Sequence, residues 1–107
     1  MDKQGSFEAI RRGLLEFSVL TVISKGEVYS ADILMALEST EFKTQEGTLY
    51  PLLSKLRRES LLDYEWKESE TGPPRKYYSL TSDGRKRLAD MKEYWEEITR
   101  TIKNLGK

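Results

Sequence analysis

A face of small polar and basic side chains follows one side of residues 44–58, the stretch that contains GTLYPLLS. Four leucines at helical spacing form the opposite, apolar side: Leu49, Leu52, Leu53 and Leu56. The polar side collects Thr44, Gly47, Pro51, Ser54 and Arg58, flanked by Thr48, Tyr50 and Lys55. Amides and hydroxyls near a helix N-terminus bind phosphate, and basic side chains release counterions from nucleic acid. The pattern therefore favours contact between this face and a nucleic-acid backbone.

Catalytic chemistry has little support in the composition. The chain contains no cysteine and no histidine, which excludes disulfides, most zinc sites and nucleophile–histidine pairs. Glu68 and Glu70 lie close together, but their polar surroundings make a solvated loop the simpler interpretation. No glycine-rich phosphate loop is present. The sequence therefore argues against an enzyme and implies no metal and no cofactor.

Net charge gives no general argument for nucleic acid, because 18 basic residues balance 18 acidic residues. Each basic residue taken alone is most simply a solvated surface side chain, so the argument depends on local clustering. Arg11 and Arg12 would add to the same positive field. No apolar run approaches the roughly 20 residues of a membrane span, and the N-terminus has no apolar signal-peptide core. We expect a cytoplasmic protein that does not enter a membrane.

The hydrophobic pattern predicts three helices at the start of the chain. The first spans roughly Phe7–Ser24 and is apolar nearly all round in its later half, so it needs partners on more than one side. Ser30 is predicted to cap a second helix that ends near Ser39. Thr44 is predicted to cap the third, which runs to about Glu59.

Two strands and a long helix follow. The segments LLDYEWKE and KYYSL alternate apolar and polar residues, which predicts a hairpin. Its tip should hold Gly72, Pro73 and Pro74, because prolines cannot donate ladder hydrogen bonds. Thr81 is predicted to cap a last helix that runs to about Asn104. The fold class is therefore mostly α with a small β-hairpin, a winged helix-turn-helix followed by a long C-terminal helix.

The last helix carries a heptad seam formed by Leu88, Met91, Trp95, Ile98, Ile102 and Leu105. Some 23 residues would span roughly 34 Å, more than the body of about 25–30 Å expected for the preceding chain. One alternative is that the seam packs only on the chain's own first helix. A twofold dimer explains better the excess of apolar surface on both helices. The expected organisation is a winged-helix DNA-binding domain over residues 1–81 and a dimerisation helix over 82–107, forming one compact unit.

Pro51 lies beside the leucine stripe but on its outward side. The carbonyl that its ring would crowd belongs to Gly47, where the backbone is most permissive. The helix either begins near Thr44 and bends slightly, or begins at Thr48 with Pro51 in its first turn. The first arrangement is favoured, and both remain open.

The segments GTLYPLLSKLRRESLL and GPPRKYYSLTSDGRKRL, together with RRGLLEFSVLTVI, closely resemble the signature of PadR-type transcriptional regulators. The resemblance covers roughly residues 11–105, and the single C-terminal helix is similar to the short branch of that family. It implies a winged-helix homodimer that represses transcription at a palindromic operator of double-stranded DNA. It also implies release of the operator by a small molecule.

The resemblance further assigns residues by motif match. DNA-facing positions fall on Lys43, Thr44, Gln45, Thr48, Tyr50, Pro51, Ser54, Lys55, Arg75 and Lys76. The implied dimer interface, on the first and last helices, includes Leu14, Phe17, Leu88, Met91, Trp95, Ile98 and Ile102. In short relatives an aromatic residue at the position of Trp95 lines a pore for flat hydrophobic ligands, whereas plain interface packing is the simpler role for this side chain.

Two departures from the family pattern bear on helix ends. Similar proteins often have glycine where this chain has Ser30 and Ser60. Neither residue lies on the predicted DNA face. A winged-helix protein-interaction module without DNA binding remains the competing interpretation, since the net charge is zero and the hairpin carries acidic residues.

Overall fold

The structure, a computed structural model, describes residues 7–107. Its four helices are α1 (Glu8–Ile23), α2 (Ser30–Leu37), α3 (Glu46–Arg58) and α4 (Ser82–Leu105). Its three strands are β1 (Val28–Tyr29), β2 (Leu62–Ser69) and β3 (Gly72–Leu80). The predicted fold class is confirmed, with α2 and α3 as the helix-turn-helix and β2–β3 as the wing.

The core lies where the four helices and the sheet meet. Its side chains are at most a few per cent exposed and include Val19, Leu20, Ile23, Ile33, Leu49, Leu53, Leu56, Leu62 and Leu88. Three of the four leucines predicted on the inner face of α3 are fully buried, and Leu52 packs against the core with part of its surface exposed. Burial of this leucine stripe fixes which side of α3 faces solvent.

The sheet has the order β1–β3–β2, and both pairings are antiparallel. Strand β1 was not predicted, because two residues are too few to show alternation. It pairs with the central strand β3 through Val28 with Tyr78 and Tyr29 with Tyr77.

The prediction that Pro73 and Pro74 lie in the hairpin tip is wrong, because both belong to β3. Ser69 pairs with Gly72 and Lys67 pairs with Arg75, so the register shifts between these pairs. The two prolines therefore share the space opposite a single residue of β2. Such a bulge leaves ladder positions unpaired, so the missing N–H groups break no hydrogen bond.

The predicted caps of the second and third helices are also wrong. Tyr29 precedes α2, and its backbone N–H donates to the Asp32 carboxylate at 3.1 Å. Ser30 is the first residue of α2, and its hydroxyl lies 3.4 Å from the Tyr50 hydroxyl instead of capping the helix. Gln45, one residue after Thr44, precedes α3.

The start of α3 resolves the position of Pro51. The helix begins at Glu46, so Pro51 lies inside it and not in the first turn. A start at Thr48 is therefore wrong. Pro51 is exposed on the outer side, and the space around Gly47, whose carbonyl it crowds, is open.

The cap of α4 is confirmed. The Thr81 Oγ1 accepts a hydrogen bond from the Gly84 N–H at 2.9 Å and donates one to the Ser60 carbonyl at 2.7 Å. The 24 residues of α4 span about 36 Å. The described molecule extends 57 Å along its longest axis. None of the helices between residues 7 and 107 is both long and apolar enough to cross a membrane.

Candidate nucleic-acid interface

The outer face of α3 presents most of the predicted contact residues to solvent. Gln45, Thr48, Tyr50, Pro51, Ser54 and Lys55 are exposed, and Thr44 is half-buried just before the helix. Because the leucines on the opposite side of α3 are buried in the core, the outer face of the helix has a fixed orientation. The short side chains of Thr48, Pro51 and Ser54 allow close approach to a partner.

A groove of about 550 Å³ runs between α3 and the hairpin. Tyr50 and Ser54 line its helix side, and Arg75 and Lys76 line its hairpin side. Four predicted contact residues from two elements therefore open onto one concave surface, which we call the wing groove. Trp66, which is 61% exposed, forms part of the hairpin wall.

Aromatic rings hold the two basic residues of β3 in place. Arg75 and Lys76 are supported by different rings. The guanidinium carbon of Arg75 lies 4.7 Å from the centre of the Tyr29 ring. The Lys76 ammonium lies 4.5 Å from the Tyr64 ring centre and 5.3 Å from that of Trp66. Cation–π contacts position these charges without neutralising them.

The remaining predicted residues before and at the start of α3 lie in a separate depression of about 290 Å³. Its lining comprises Lys43, Thr44, Gln45 and Thr48, together with Glu8, Arg11, Arg12 and Leu15 of α1. The charges here are mixed. Glu8 accepts hydrogen bonds from Arg11 and Arg12, which lower its pKa, and Lys43 pairs with Glu38 at 3.3 Å.

Lys55 does not line the wing groove. Its ammonium lies 3.3 Å from a carboxylate oxygen of Glu16 on α1 and 3.8 Å from one of Glu59. The other carboxylate oxygen of Glu16 pairs with Arg87 of α4 at 3.1 Å. The charge of Lys55 is therefore partly compensated within the chain.

The aromatic side chains that support the two basic residues of β3 were not predicted to belong to the site. Alternation in β2 placed Tyr64 and Trp66 on one strand face, which was the available signal for a ring pair beside Lys76. Tyr29 gave no comparable signal, because it lies in the two-residue strand β1. Arg58 was placed on the outer face of α3 but not in the site. Arg57, whose guanidinium carbon lies 4.6 Å from the centre of the Tyr64 ring, was not predicted to belong to the site.

The apolar seam of α4 divides into two parts. Leu88 is 5% exposed in the chain's own core, and Met91 packs against that core. Farther along, Trp95 is 43% exposed and Ile102 is 65% exposed. Trp95 also borders an apolar depression of about 460 Å³, whose lining includes Leu14 and Phe17 of α1.

This fold and surface define a winged helix-turn-helix protein with an added C-terminal helix. The sequence profile of the transcriptional regulator PadR-like family matches residues 19–90, more than half of the chain. The chain belongs to this family of transcriptional regulators.

Solved structures agree with the assignment. The chain is 39% identical to a PadR-like transcription factor from Bacteroides fragilis, with 94% of this chain and 98% of that chain covered and a TM-score of 0.81. It is 36% identical to a PadR-like transcriptional regulator from Bacillus cereus, with 91% and 95% covered and a TM-score of 0.80. Bacillus subtilis PadR in complex with operator DNA is 25% identical, with 73% of this chain and 46% of that chain covered and a TM-score of 0.65.

Proposed function

We propose that this protein regulates transcription by binding an operator in double-stranded DNA through α3 and the wing. The observation that carries the proposal is the wing groove, where the outer face of α3 meets two aromatically supported cations. In helix-turn-helix proteins the N-terminal part of the recognition helix meets base edges, so Gln45 and Thr48 would read sequence. Bacillus subtilis PadR, a structural relative, was solved with operator DNA.

The test is the salt dependence of binding to DNA fragments selected from a random pool. Each neutralised phosphate contributes about −0.9 to the slope of log affinity against log salt. Lys76→Met should weaken binding to all fragments and flatten the slope, whereas Gln45→Ala or Thr48→Ala should change sequence preference. Lys103→Met, near the far end of α4, is the matched control and should change neither.

The competing interpretation predicts a different result. A winged helix that binds only protein would retain no DNA fragment even at low salt, and that outcome would refute the proposal. Equal losses from Lys76→Met and Lys103→Met would show that DNA does not use the wing groove.

We further propose that the protein acts as a homodimer. Each chain exposes both an apolar seam on α4 and an apolar depression beside α1. Two copies related by twofold symmetry can therefore cover these surfaces, with the seam of each copy packed on the depression of the other. A dimer would present two α3 helices to a palindrome with half-sites about one helical turn apart.

Light scattering of the purified protein tests the dimer. Ile102→Asp should convert the dimer into a folded particle of 12.5 kDa, because Ile102 is 65% exposed within one chain and its burial would come from the partner. Asn104→Asp places the same carboxylate on the opposite side of α4 and should leave the mass unchanged. A wild-type particle of 12.5 kDa in dilute solution would contradict the proposal.

We also propose that the protein is a repressor released by a flat hydrophobic molecule that binds beside Trp95. The apolar depression there adjoins the proposed dimer seam, so an occupant would alter how two copies pack. Titration with planar aromatic compounds should change the fluorescence of Trp95 in a Trp66→Phe background and should lower the operator affinity of the wild-type protein. A compound that binds without lowering operator affinity would contradict the release mechanism.

A further inference from the structure

A second concave surface continues the wing groove toward the C-terminal end of α3. It is a cleft of about 190 Å³ between the helix and the hairpin. Ser54 and Lys76 line both the groove and the cleft, so the two surfaces are contiguous. Arg57 and Arg58 enter only the cleft, which brings three basic side chains around one opening.

The ring of Tyr64 holds two of these cations at once. The guanidinium carbon of Arg57 lies 4.6 Å from the ring centre, and the Lys76 ammonium lies 4.5 Å from it. One comes from α3 and the other from β3, so the ring draws together charges from the two elements that form the wing groove. Because like charges repel, this arrangement favours an anion between or beside them.

Among the described residues, no carboxylate lies within 4 Å of these three cations to form an ion pair. None of the ion pairs between residues 7 and 107 involves Arg57, Arg58 or Lys76; the basic residues that form them are Arg11, Arg12, Lys43, Lys55, Lys67 and Arg87. The helix dipole alone is enough to favour basic residues in the last turn of a helix, where Arg57 and Arg58 lie. It does not explain why Arg57 shares a ring with a lysine of the hairpin.

We propose that Arg57, Arg58 and Lys76, arranged around Tyr64, form a binding site for one backbone phosphate of DNA. Arginine presents several donors in a planar fork suited to phosphate, and the exposed Ser54 hydroxyl adds a further donor at the rim. The inference rests on the proposed function. In this proposal Arg57, Arg58 and Lys76 supply the charge that releases counterions from DNA. Lys55 contributes little, because it is already paired with Glu16 and Glu59.

The experiment measures the salt dependence of Arg58→Gln and Lys55→Gln on the fragment that the wild-type protein selects. The proposed dimer binds two half-sites, so Arg58→Gln should flatten the slope by as much as about 1.8, which is about 0.9 for each half-site. Raising salt from 50 to 200 mM should then cost the variant as much as about 12-fold less affinity than it costs the wild type. Lys55→Gln should change the slope much less. Equal flattening by both variants, or none by Arg58→Gln, would overturn the proposal.

The role of the ring is tested separately. Tyr64→Leu removes the support but no charge, so it should weaken binding, and Tyr64→Phe should restore binding because it keeps the ring. Circular dichroism verifies that both variants fold. Weak binding by a folded Tyr64→Phe protein would show that the phenol and not the ring acts, which contradicts the arrangement described here.

The decisive measurement replaces single phosphates of the selected fragment with uncharged methylphosphonates. One position in each half-site should weaken binding of the wild-type protein more than binding of Arg58→Gln, because that variant has already lost one of the three cations at that phosphate. If both proteins respond alike at every position, the cleft holds no phosphate although DNA binding stands. If the wild-type protein binds no DNA at all, the proposed function and the cleft site fall together.

Discussion

The start of α4 depends on one glycine, and Gly84→Ala should destabilise the protein strongly. Gly84 is buried in the first turn of α4. A Cβ atom built there would lie 2.1 Å from the Leu61 carbonyl oxygen and 3.1 Å from its carbonyl carbon. Both atoms belong to the backbone, so no side chain can rotate to make room. The helix or the preceding turn would have to move.

The cost follows from the contacts that such a movement breaks. The Leu61 carbonyl accepts the Thr81 N–H at 3.1 Å, and the Thr81 hydroxyl joins Gly84 to Ser60. Overpacking costs about 1–3 kcal/mol, and each of these three hydrogen bonds contributes about 1 kcal/mol. Alanine returns about 0.4–1 kcal/mol by restricting the unfolded chain. The net loss should be about 3–6 kcal/mol, a large share of the 5–15 kcal/mol typical of a domain.

Urea unfolding followed by circular dichroism measures this loss, at one fixed protein concentration because association would shift the midpoint. Gly13→Ala is the matched control, since Gly13 lies on the exposed side of α1 with nothing within 4 Å of its Cβ position. The same substitution there should stabilise by about 0.5–1 kcal/mol. A Gly84→Ala midpoint equal to or above that of the wild type would refute the steric argument.

Two further predictions concern stability. Ser60 has φ 64°, a left-handed conformation that costs an L-residue about 1–2 kcal/mol. Ser60→Gly should therefore raise the free energy of unfolding, measured with urea, by about 0.5–1 kcal/mol, and Ser60→Ala should not. Burial raises the pKa of Tyr78 above its ordinary value of 10.0. The pKa of Tyr78 in the folded state is therefore higher than its pKa in the unfolded state. The contribution of Tyr78 to stability is fully present below the unfolded-state pKa and is lost as the pH rises through the folded-state pKa. The unfolding temperature should therefore fall less steeply in Tyr78→Phe than in the wild type between neutral and strongly alkaline pH. An equally steep fall in both proteins would contradict this prediction.

Local periodicity predicted the elements whose signal lies within one stretch of chain. The leucine spacing identified the inner face of α3, and alternation located β2 and β3. Strand β1 and the placement of Pro73 and Pro74 required knowledge of register, which depends on residues far apart in sequence. A two-residue strand forms because a neighbouring edge is available, and a bulge accepts prolines because the partner strand is one residue shorter there.

The candidate site was predictable in position but not in charge balance. A helical wheel placed Lys55 outward on α3, yet it contains no information that α1 brings Glu16 within 3.3 Å of its ammonium. It likewise could not show that Arg57 shares the Tyr64 ring with Lys76, because that contact crosses from helix to hairpin. Which cations remain available to a phosphate is therefore a tertiary property of this fold.

The close contact at Gly84 also bears on the geometry of the proposed dimer. Leu88 and Met91 hold the first half of α4 on the chain's own core, whereas Trp95 and Ile102 lie on the half available to a partner. The angle at which α4 leaves the winged helix is thus fixed between Gly84 and Met91. In a twofold dimer that angle sets the separation of the two α3 helices, and hence the half-site spacing that the protein accepts. A substitution that shifts the start of α4 without unfolding the chain should therefore change the preferred operator spacing while leaving the preferred half-site sequence unchanged.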